Sequence, residues 1–170
     1  MPKDPSQGQL QPLITLDSQG QLEQALSHAS HMQRKFPNSP VIYNILGATN
    51  AGLGSFAAAI DSYKQALKLK PDYFEAYYNM GNALQDQGDL AAAVDSYKRA
   101  LKLKPDYADA YNNMGNALKD QGDLAAAIDS YKQALKLKPD YADAYNNMGN
   151  TLQDQGDLAA AIDSYKQALK

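Results

Sequence analysis

The sequence predicts an all-α fold, a solenoid of antiparallel helix pairs, and three observations lead to that prediction. Proline recurs every 34 residues, at Pro37, Pro71, Pro105 and Pro139. The blocks that these prolines open are nearly alike, since residues 105–136 and 139–170 differ at only two positions. Each block also contains two runs of apolar residues at helical spacing. A period of this length is typical of repeat proteins, and such near-identity indicates recent duplication or idealisation by design.

The block that begins at Pro71 shows how one helix pair is specified. Its first helix has an inward apolar stripe formed by Tyr77, Met80, Gly81 and Leu84. Its second helix continues that spacing with Leu90, Ala93, Val94, Tyr97 and Leu101. Between the two helices, we expect Gly88 to adopt a left-handed conformation and Asp89 to cap the second helix.

The junction to the next block follows the same logic. Pro105 is expected to end the second helix, and Asp106 to cap the next first helix. The small residues Gly81, Ala93 and Ala100 lie on the inward stripes, where their lack of bulk allows the paired helices to approach closely. A larger side chain at any of them should overpack the seam between the helices.

The order of residue types within the period resembles the tetratricopeptide repeat (TPR). One repeat places the signature residues at Tyr77, Met80, Gly81, Leu84, Gly88, Ala93, Tyr97, Ala100 and Pro105, and the next at Tyr111, Met114, Gly115, Leu118, Gly122, Ala127, Tyr131, Ala134 and Pro139. The resemblance covers residues 37–170, as four tandem repeats. It implies a right-handed superhelix whose concave surface is lined by the first helix of each pair.

The two ends of the chain depart from the repeat. Residues 1–36 are predicted to form an N-terminal extension and a degenerate capping repeat, because they keep only the outline Leu13, Leu16, Gly20, Ala25 and Phe36. The first helix is expected to start at or just before Pro12, since proline breaks a helix interior. The fourth repeat stops at Lys170 without the residues that close the other copies. We therefore expect a last helix without a polar cap, which predicts truncation or self-association.

Function in such a scaffold is expected from side chains outside the packing stripes. On the first helices these are mostly carboxamides, with an acidic residue near each helix start. The predicted groove residues are Glu75, Tyr78, Asn79 and Asn82; Asp109, Asn112, Asn113 and Asn116; and Asp143, Asn146, Asn147 and Asn150. An Asn amide has two donors and an acceptor, so a row of them can pair with the backbone of an extended peptide without reading its side chains.

The inner asparagines Asn79, Asn113 and Asn147 are similar in position to the ladder in the TPR region of O-GlcNAc transferases. The earliest clear repeat departs from that pattern, because Ile45 and Ala48 stand where the later repeats have asparagine. The ladder is then three rungs long, beside an apolar end that can hold an apolar side chain or pack against the cap. The alternative interpretation is that these asparagines serve solubility or helix packing in a generic repeat.

Charge narrows the expected partners. A clamp for a peptide carboxylate needs Lys and Arg on this surface, and only Lys119 is available. Glu75, Asp109 and Asp143 instead predict a preference for basic ligands. A net charge of -3 with no separate cluster of Lys and Arg disfavours nucleic acid. No apolar run is long enough to span a membrane, so a cytoplasmic protein is expected.

No catalytic, metal or cofactor site is predicted. The absence of cysteine excludes disulfides and thiolate metal sites. His28 and His31 can share a helix face, but two ligands alone make a weak metal site. Asp89, Asp123 and Asp157 are better explained as helix caps than as acid-base catalysts.

The predicted function is therefore a protein- or peptide-binding scaffold without enzymatic activity. One alternative is a self-assembling array, in which the uncovered last helix docks on the N-terminal helices of the next molecule. A second is the TPR portion of a larger enzyme such as a glycosyltransferase.

Overall fold

The computed structural model describes residues 4–170, and over that range the chain forms ten α-helices and no strand. The helices fall into two compact units, and the chain passes from the first to the second between Gln87 and Gly88. The first unit contains α1 (Gln7–Ser18), α2 (Leu22–Lys35), α3 (Pro40–Gly52), α4 (Phe56–Leu69) and α5 (Phe74–Gln87). The second contains α6 (Leu90–Leu103), α7 (Ala108–Asp120), α8 (Leu124–Leu137), α9 (Ala142–Gln155) and α10 (Leu158–Ala168).

Within each unit, every helix packs on the next one along the chain. In the first unit α1 packs on α2, α2 on α3, α3 on α4 and α4 on α5, and α3 also contacts α5. In the second unit the same order runs from α6 to α10, and α7 also contacts α9. Contacts between helices that are close in sequence are typical of repeat proteins. The predicted all-α fold of successive helix pairs is confirmed.

The N-terminal residues take part in this packing. Leu13 of α1 and Ala25 of α2 are fully buried in one apolar cluster with Ile42 of α3. Phe36, which follows α2, is buried in the same cluster. Leu13, Ala25 and Phe36 therefore form core together with α3, whereas Gly20 is exposed.

The turn between the helices of a pair has the predicted chemistry. Gly88 has a φ of +88°, a left-handed conformation that glycine adopts at little cost. The side chain of Asp89 accepts a hydrogen bond from the backbone N–H of Ala92 at 3.2 Å, as an N-cap residue does. Asp123 and Asp157 make the same bond in the following repeats.

The prediction that Asp106 caps the next helix is wrong. The N-cap of α7 is Tyr107, which makes no side-chain capping bond. Asp106 therefore precedes the N-cap by one residue, and its carboxylate does not cap the first N–H groups of the helix. Instead, the Lys104 ammonium lies 5.2 Å from the centre of the Tyr107 ring, a cation–π contact that recurs between Lys138 and Tyr141 at 4.2 Å.

The predicted start of the first helix is also wrong, because Pro12 lies inside α1. Ser6 starts the helix earlier through a capping box: its N–H donates to the Gln9 side chain at 2.9 Å, and its hydroxyl accepts from the Gln9 N–H at 3.4 Å. Proline removes one helical hydrogen bond, that to the carbonyl of Gly8. Both Gly8 and Pro12 are exposed, so water can solvate that carbonyl.

In the pairs α3–α4, α7–α8 and α9–α10 the seam is built on a glycine against a tyrosine ring, the first of these contacts being Gly47 against Tyr63. A Cβ added to Gly115 would lie 2.5 Å from Cε1 of Tyr131, closer than real Cβ atoms approach other heavy atoms. Gly149 stands in the same relation to Tyr165. Gly81, Ala93 and Ala100 are buried as well. In these three pairs the helices therefore touch where the side chain is smallest, as the residue types indicate.

These buried tyrosines predict alkaline instability. Burial raises the pKa of Tyr131 to about 12 from its usual 10.0, and it also raises the pKa of Tyr63. Because the folded-state pKa is the higher one, the neutral ring contributes stability that is complete below about pH 10 and is lost as pH rises towards about 12. We expect the free energy of unfolding, measured by urea denaturation from about pH 8 to about pH 12, to fall across that window.

The variant Tyr131→Phe should lose less stability than the parent between those pH values. Tyr165→Phe is the matched control, because the ring at that equivalent position is only partly buried. Parallel curves for the parent and both variants would show that ionisation of Tyr131 does not limit folding.

Candidate functional site

All twelve predicted groove residues lie on first helices of repeats. Four are on α5 of the first unit, namely Glu75, Tyr78, Asn79 and Asn82. Eight are in the second unit: Asp109, Asn112, Asn113 and Asn116 on α7, and Asp143, Asn146, Asn147 and Asn150 on α9. We call the surface formed by α1, α3 and α5 the N-terminal first-helix face, and that formed by α7 and α9 the C-terminal first-helix face.

Two of the ladder asparagines hold neighbouring first helices together. The Nδ2 of Asn79 donates to Oδ1 of Asn44 at 3.2 Å, which joins α5 to α3. The Nδ2 of Asn147 donates to Oδ1 of Asn112 at 3.1 Å, which joins α9 to α7. Asn79 and Asn147 are nevertheless half-exposed. Each of these amides is therefore fixed in orientation at the surface.

Both bonds span 35 residues, one more than the sequence period. Successive residues of an α-helix point about 100° apart, so two adjacent positions can face opposite neighbours. In the pair Asn112–Asn113, the first position faces the following first helix, as its bond to Asn147 shows. Asn79 occupies the second position and faces the preceding first helix.

Asn44 is the site residue that sequence reasoning missed. Comparison at a spacing of 34 residues aligns Asn79 with Ile45 and ends the ladder there. A search at a spacing of 35 residues would have found Asn44 and Asn112. Burial and then the charge of Glu75 raise the pKa of Tyr73 above its usual 10.0, and the nearby Asn44 amide lowers it by less.

Asn112 was predicted to contact a ligand at the surface, but the structure buries it. It is only 5% exposed, and its Nδ2 donates to Oδ1 of Asn113 at 3.2 Å. Its amide therefore links Asn113 on its own helix to Asn147 on α9. Asn146, at the equivalent position of the next repeat, is exposed.

The last asparagine of each predicted set in the second unit, Asn116 on α7 and Asn150 on α9, contacts the second helix of its own repeat. The Tyr131 hydroxyl donates to Oδ1 of Asn116 at 2.8 Å, and the Tyr165 hydroxyl donates to Oδ1 of Asn150 at the same distance. These bonds satisfy the polar end of each ring. Asn116 is half-buried and Asn150 is exposed, so both remain at the margin of the face.

Both first-helix faces carry acidic side chains. Glu75 and Asp143 are exposed, and Asp109 is half-buried. Lys119, the one cation considered for a carboxylate clamp, forms an ion pair with Asp154 at 3.5 Å. The helices α1, α3 and α5 contain Asp17, Glu75 and Asp86 and no Lys, Arg or His, so the N-terminal first-helix face is the more uniformly anionic.

Metal ligands do not converge in the part of the chain that the structure describes. No group of three or more His, Asp or Glu side chains there could hold a metal ion. His31 is exposed and His28 is half-buried on the second helix of the first pair. Among residues 4–170, no helix combines the length and apolar character needed to span a membrane.

Comparison with known families agrees with the repeat pattern. The sequence profile of the family described as TPR repeat matches residues 51–88, 81–122 and 115–156, and a second tetratricopeptide repeat profile matches residues 144–170. Together these matches cover well over half of the chain. The chain belongs to the tetratricopeptide repeat family. No curated protein sequence matches it.

Several solved structures are similar to this TPR chain. A crystal structure of MamA has 29% sequence identity and a TM-score of 0.84, with 91% of each chain covered. The MamA 41-end structure from Desulfovibrio magneticus RS-1 has 22% identity and a TM-score of 0.87, and covers 95% of this chain and 91% of that one. YrrB, described as a TPR protein with an unusual peptide-binding site, has 21% identity and a TM-score of 0.77. The match covers 98% of this chain and 86% of that one. The last two likenesses concern the fold alone.

In the TPR chain, the predicted site residues thus divide by their contacts. Asn79 and Asn147 connect neighbouring first helices. Asn116 and Asn150 accept hydrogen bonds from tyrosines of second helices. Asn112 is buried and links Asn113 to Asn147. The similarity of the ladder to that of O-GlcNAc transferases stays a prediction, because the comparisons concern the repeats and the fold.

Proposed function

We propose that this TPR chain is a protein-interaction scaffold, and that each first-helix face binds an extended peptide segment through its asparagine amides. The observation that carries the proposal is that Asn79 and Asn147 are half-exposed while one hydrogen bond fixes each of them to the preceding first helix. A groove of fixed amides loses less side-chain entropy on binding than one of mobile side chains.

Amide chemistry suits a peptide backbone. An Asn side chain has two N–H donors and an oxygen with two lone pairs, and the bond to Asn44 or Asn112 uses one donor. The rest of the group can pair with N–H and C=O groups of an extended peptide, as in strand addition. Backbone pairing confers affinity with little sequence preference.

Neighbouring residues have supporting roles in this proposal. Asn44 and Asn112 position the surface amides, and Asn113 and the exposed Asn146 add further donors and acceptors. Glu75, Asp109 and Asp143 favour ligands with Lys or Arg, since complementary charge steers encounter. Lys119 contributes little to binding of a peptide carboxylate, because Asp154 already pairs with it.

The competing interpretation is that the asparagines serve only helix packing, and the bonds between first helices support it too. The deciding experiment is selection from an unbiased peptide library, followed by affinity measurement on the parent and on the triple variant Asn79→Ala, Asn113→Ala, Asn147→Ala. We expect the triple variant to lose binding while circular dichroism shows that it stays helical.

The matched control is the double variant Asn44→Ala, Asn112→Ala. It removes the same two bonds between first helices but leaves Asn79 and Asn147 in place, so it should lose only the affinity that comes from fixing the amides, which is less than the triple variant loses. Gln133→Ala, an exposed change on the second helix α8, should have no effect. If the double variant loses as much affinity as the triple variant, the amides act through packing and the proposal of direct contact fails.

A second candidate function is self-association through α10. Ile128 of α8 is 6% exposed because it packs with Leu152 and Met148 of α9, whereas Ile162, the equivalent residue of α10, is 53% exposed. Leu158 at the start of α10 and Leu169, which follows its last residue, are exposed as well. Solution mass measured against concentration separates the two functions. If mass rises with concentration, Ile162→Lys abolishes the rise and no library peptide binds, the scaffold proposal yields to self-assembly.

A further inference from the structure

A small cavity lies between α1 and α3 on the N-terminal first-helix face. Its volume is about 120 Å³, and its lining includes Leu13, Ile14, Ile45 and Ala48. Leu13 is fully buried, whereas Ile14 is 49% exposed and Ala48 is exposed. The cavity is therefore lined mostly by apolar side chains and is reached from the surface. A dry apolar cavity of roughly 150 Å³ accepts a molecule as large as benzene, so this one has room for a branched aliphatic side chain.

The lining of the cavity contains two residues that differ from those of the later repeats. Ile45 and Ala48 replace the asparagines found at the equivalent positions 79 and 82, 113 and 116, and 147 and 150. In the second unit the last of these asparagines accepts a hydrogen bond from a tyrosine, which alanine cannot do. The packing of α1 and α2 against α3 does not fill the space that Ala48 leaves.

The polar lining of the cavity connects it to the asparagines. Asn44 lines the cavity and accepts the hydrogen bond from Asn79. Thr49 is also in the lining, and its hydroxyl is occupied because it donates to the backbone carbonyl of Ile45 at 3.0 Å. A peptide backbone held by Asn79 would thus pass within reach of the cavity.

Charge indicates which ligand residue lies next to the aliphatic one. Asp17 is exposed and belongs to the lining, and the three first helices of this face contain no basic residue that could pair with it. A cationic side chain beside the aliphatic one would meet an anionic edge. An acidic side chain in that place would be repelled by it.

We infer that this cavity is a specificity pocket of the peptide-binding face, which takes an aliphatic side chain of the size of valine or leucine from a peptide whose adjacent residue is Lys or Arg. The inference rests on the proposed function and adds to it the part of the ligand that is read by side chain. The aliphatic group contributes affinity by leaving water, and Asp17 selects the neighbouring charge.

The probes are three fluorescein-labelled decapeptides of Gly and Ser that differ only in the central pair, which is Leu-Lys, Ala-Lys or Leu-Glu. Fluorescence anisotropy on the parent should show that Leu-Lys binds at least about tenfold more tightly than Ala-Lys, the effect expected for burial of most of a leucine side chain. Leu-Glu should bind more weakly than Leu-Lys, by an amount that shrinks at high salt.

Two variants test the site itself. Ala48→Leu fills the cavity from an exposed position and should reduce the preference for Leu-Lys over Ala-Lys to about onefold. Asp17→Asn should reduce the preference for Leu-Lys over Leu-Glu by roughly two- to fivefold, as expected for one exposed charge. The matched controls are Ala58→Leu and Glu23→Gln, exposed changes on the second helices α4 and α2, which should behave like the parent.

The outcomes separate this inference from the proposed function. If library peptides bind and need the asparagines, but Leu-Lys and Ala-Lys bind the parent equally, the pocket is overturned and the scaffold stands. If Ala48→Leu keeps the full preference for Leu-Lys, the aliphatic side chain binds elsewhere and the inference fails. If neither the library nor Leu-Lys yields binding, both proposals fall together.

Discussion

Replacing Gly115 with leucine is expected to destabilise the protein by about 1–3 kcal/mol or more, since the added side chain has no space at the helix seam. A Cβ at this position would already lie 2.5 Å from Cε1 of Tyr131 and 2.8 Å from Cδ1. That ring is fully buried, and its hydroxyl is bonded to Asn116, so it cannot move aside without breaking other contacts. Thermal unfolding followed by circular dichroism measures the loss.

Gly115→Ala tests the packing of the seam more sharply than Gly115→Leu, because replacing glycine by alanine in a helix normally stabilises it. At Gly8, where a Cβ would meet nothing within 4 Å, we expect the change to alanine to stabilise by about 0.4–1 kcal/mol. At Gly115 the same change should destabilise. Its cost should also shrink when Tyr131 is leucine, because the two residues are in contact. Equal, stabilising effects of alanine at both glycines would contradict the proposed packing of the seam.

Replacing Tyr131 with alanine is expected to cost about 3–5 kcal/mol, the range for removal of a buried aromatic ring. Tyr131 is fully buried between α7 and α8, and the space it leaves would be bounded by Gly115, which has no side chain to fill it. Urea denaturation of the variant and the parent gives the difference in the free energy of unfolding.

Two further variants show how much of the destabilisation by Tyr131→Ala comes from the hydrogen bond and how much depends on burial of the ring. Tyr131→Phe keeps the ring but loses the hydrogen bond to Asn116, and should cost about 1 kcal/mol. Tyr165→Ala removes the equivalent ring of the next repeat, where the side chain is only partly buried, and should cost less than Tyr131→Ala. If the phenylalanine variant were as unstable as the alanine variant, the hydrogen bond would dominate and the packing argument would be wrong.

The helix seam could be predicted from residue types alone. Only glycine and alanine permit two helices to approach closely, and they recur at Gly81, Ala93 and Ala100 where the stripes face inward. The turn was equally predictable, because the left-handed conformation of Gly88 and the capping role of Asp89 follow from backbone sterics and hydrogen bonding over a few residues. Local chemistry determines both features.

The partners of the asparagines could not be predicted, because they depend on how one repeat is placed on the next. Comparison at the sequence period pairs equivalent positions, whereas the bonds join Asn44 to Asn79 and Asn112 to Asn147, which are not equivalent. The burial of Asn112 follows from the same geometry. The cavity beside Ile45 was foreseen only as an apolar end of the ladder, since its existence depends on how closely α1 packs on α3.

Single-residue rules failed where a neighbour had the stronger influence. Pro12 was expected to mark the start of a helix, but the capping box of Ser6 and Gln9 begins α1 before it. Asp106 was expected to cap α7, but the helix begins one residue too late for its carboxylate to reach. In both places the rule for the residue type is sound, and the exact start of the helix decides whether it applies.

The 35-residue hydrogen bond also bears on how such a gene can lengthen. Each copy of the doublet Asn112–Asn113 or Asn146–Asn147 contains one position that faces the preceding neighbour and one that faces the following neighbour. A duplicated segment of 34 codons therefore arrives with both halves of its contact already encoded. Unequal recombination between such segments can add a whole repeat without any compensating substitution, and the near-identity of residues 105–136 and 139–170 is the pattern that this kind of growth leaves behind.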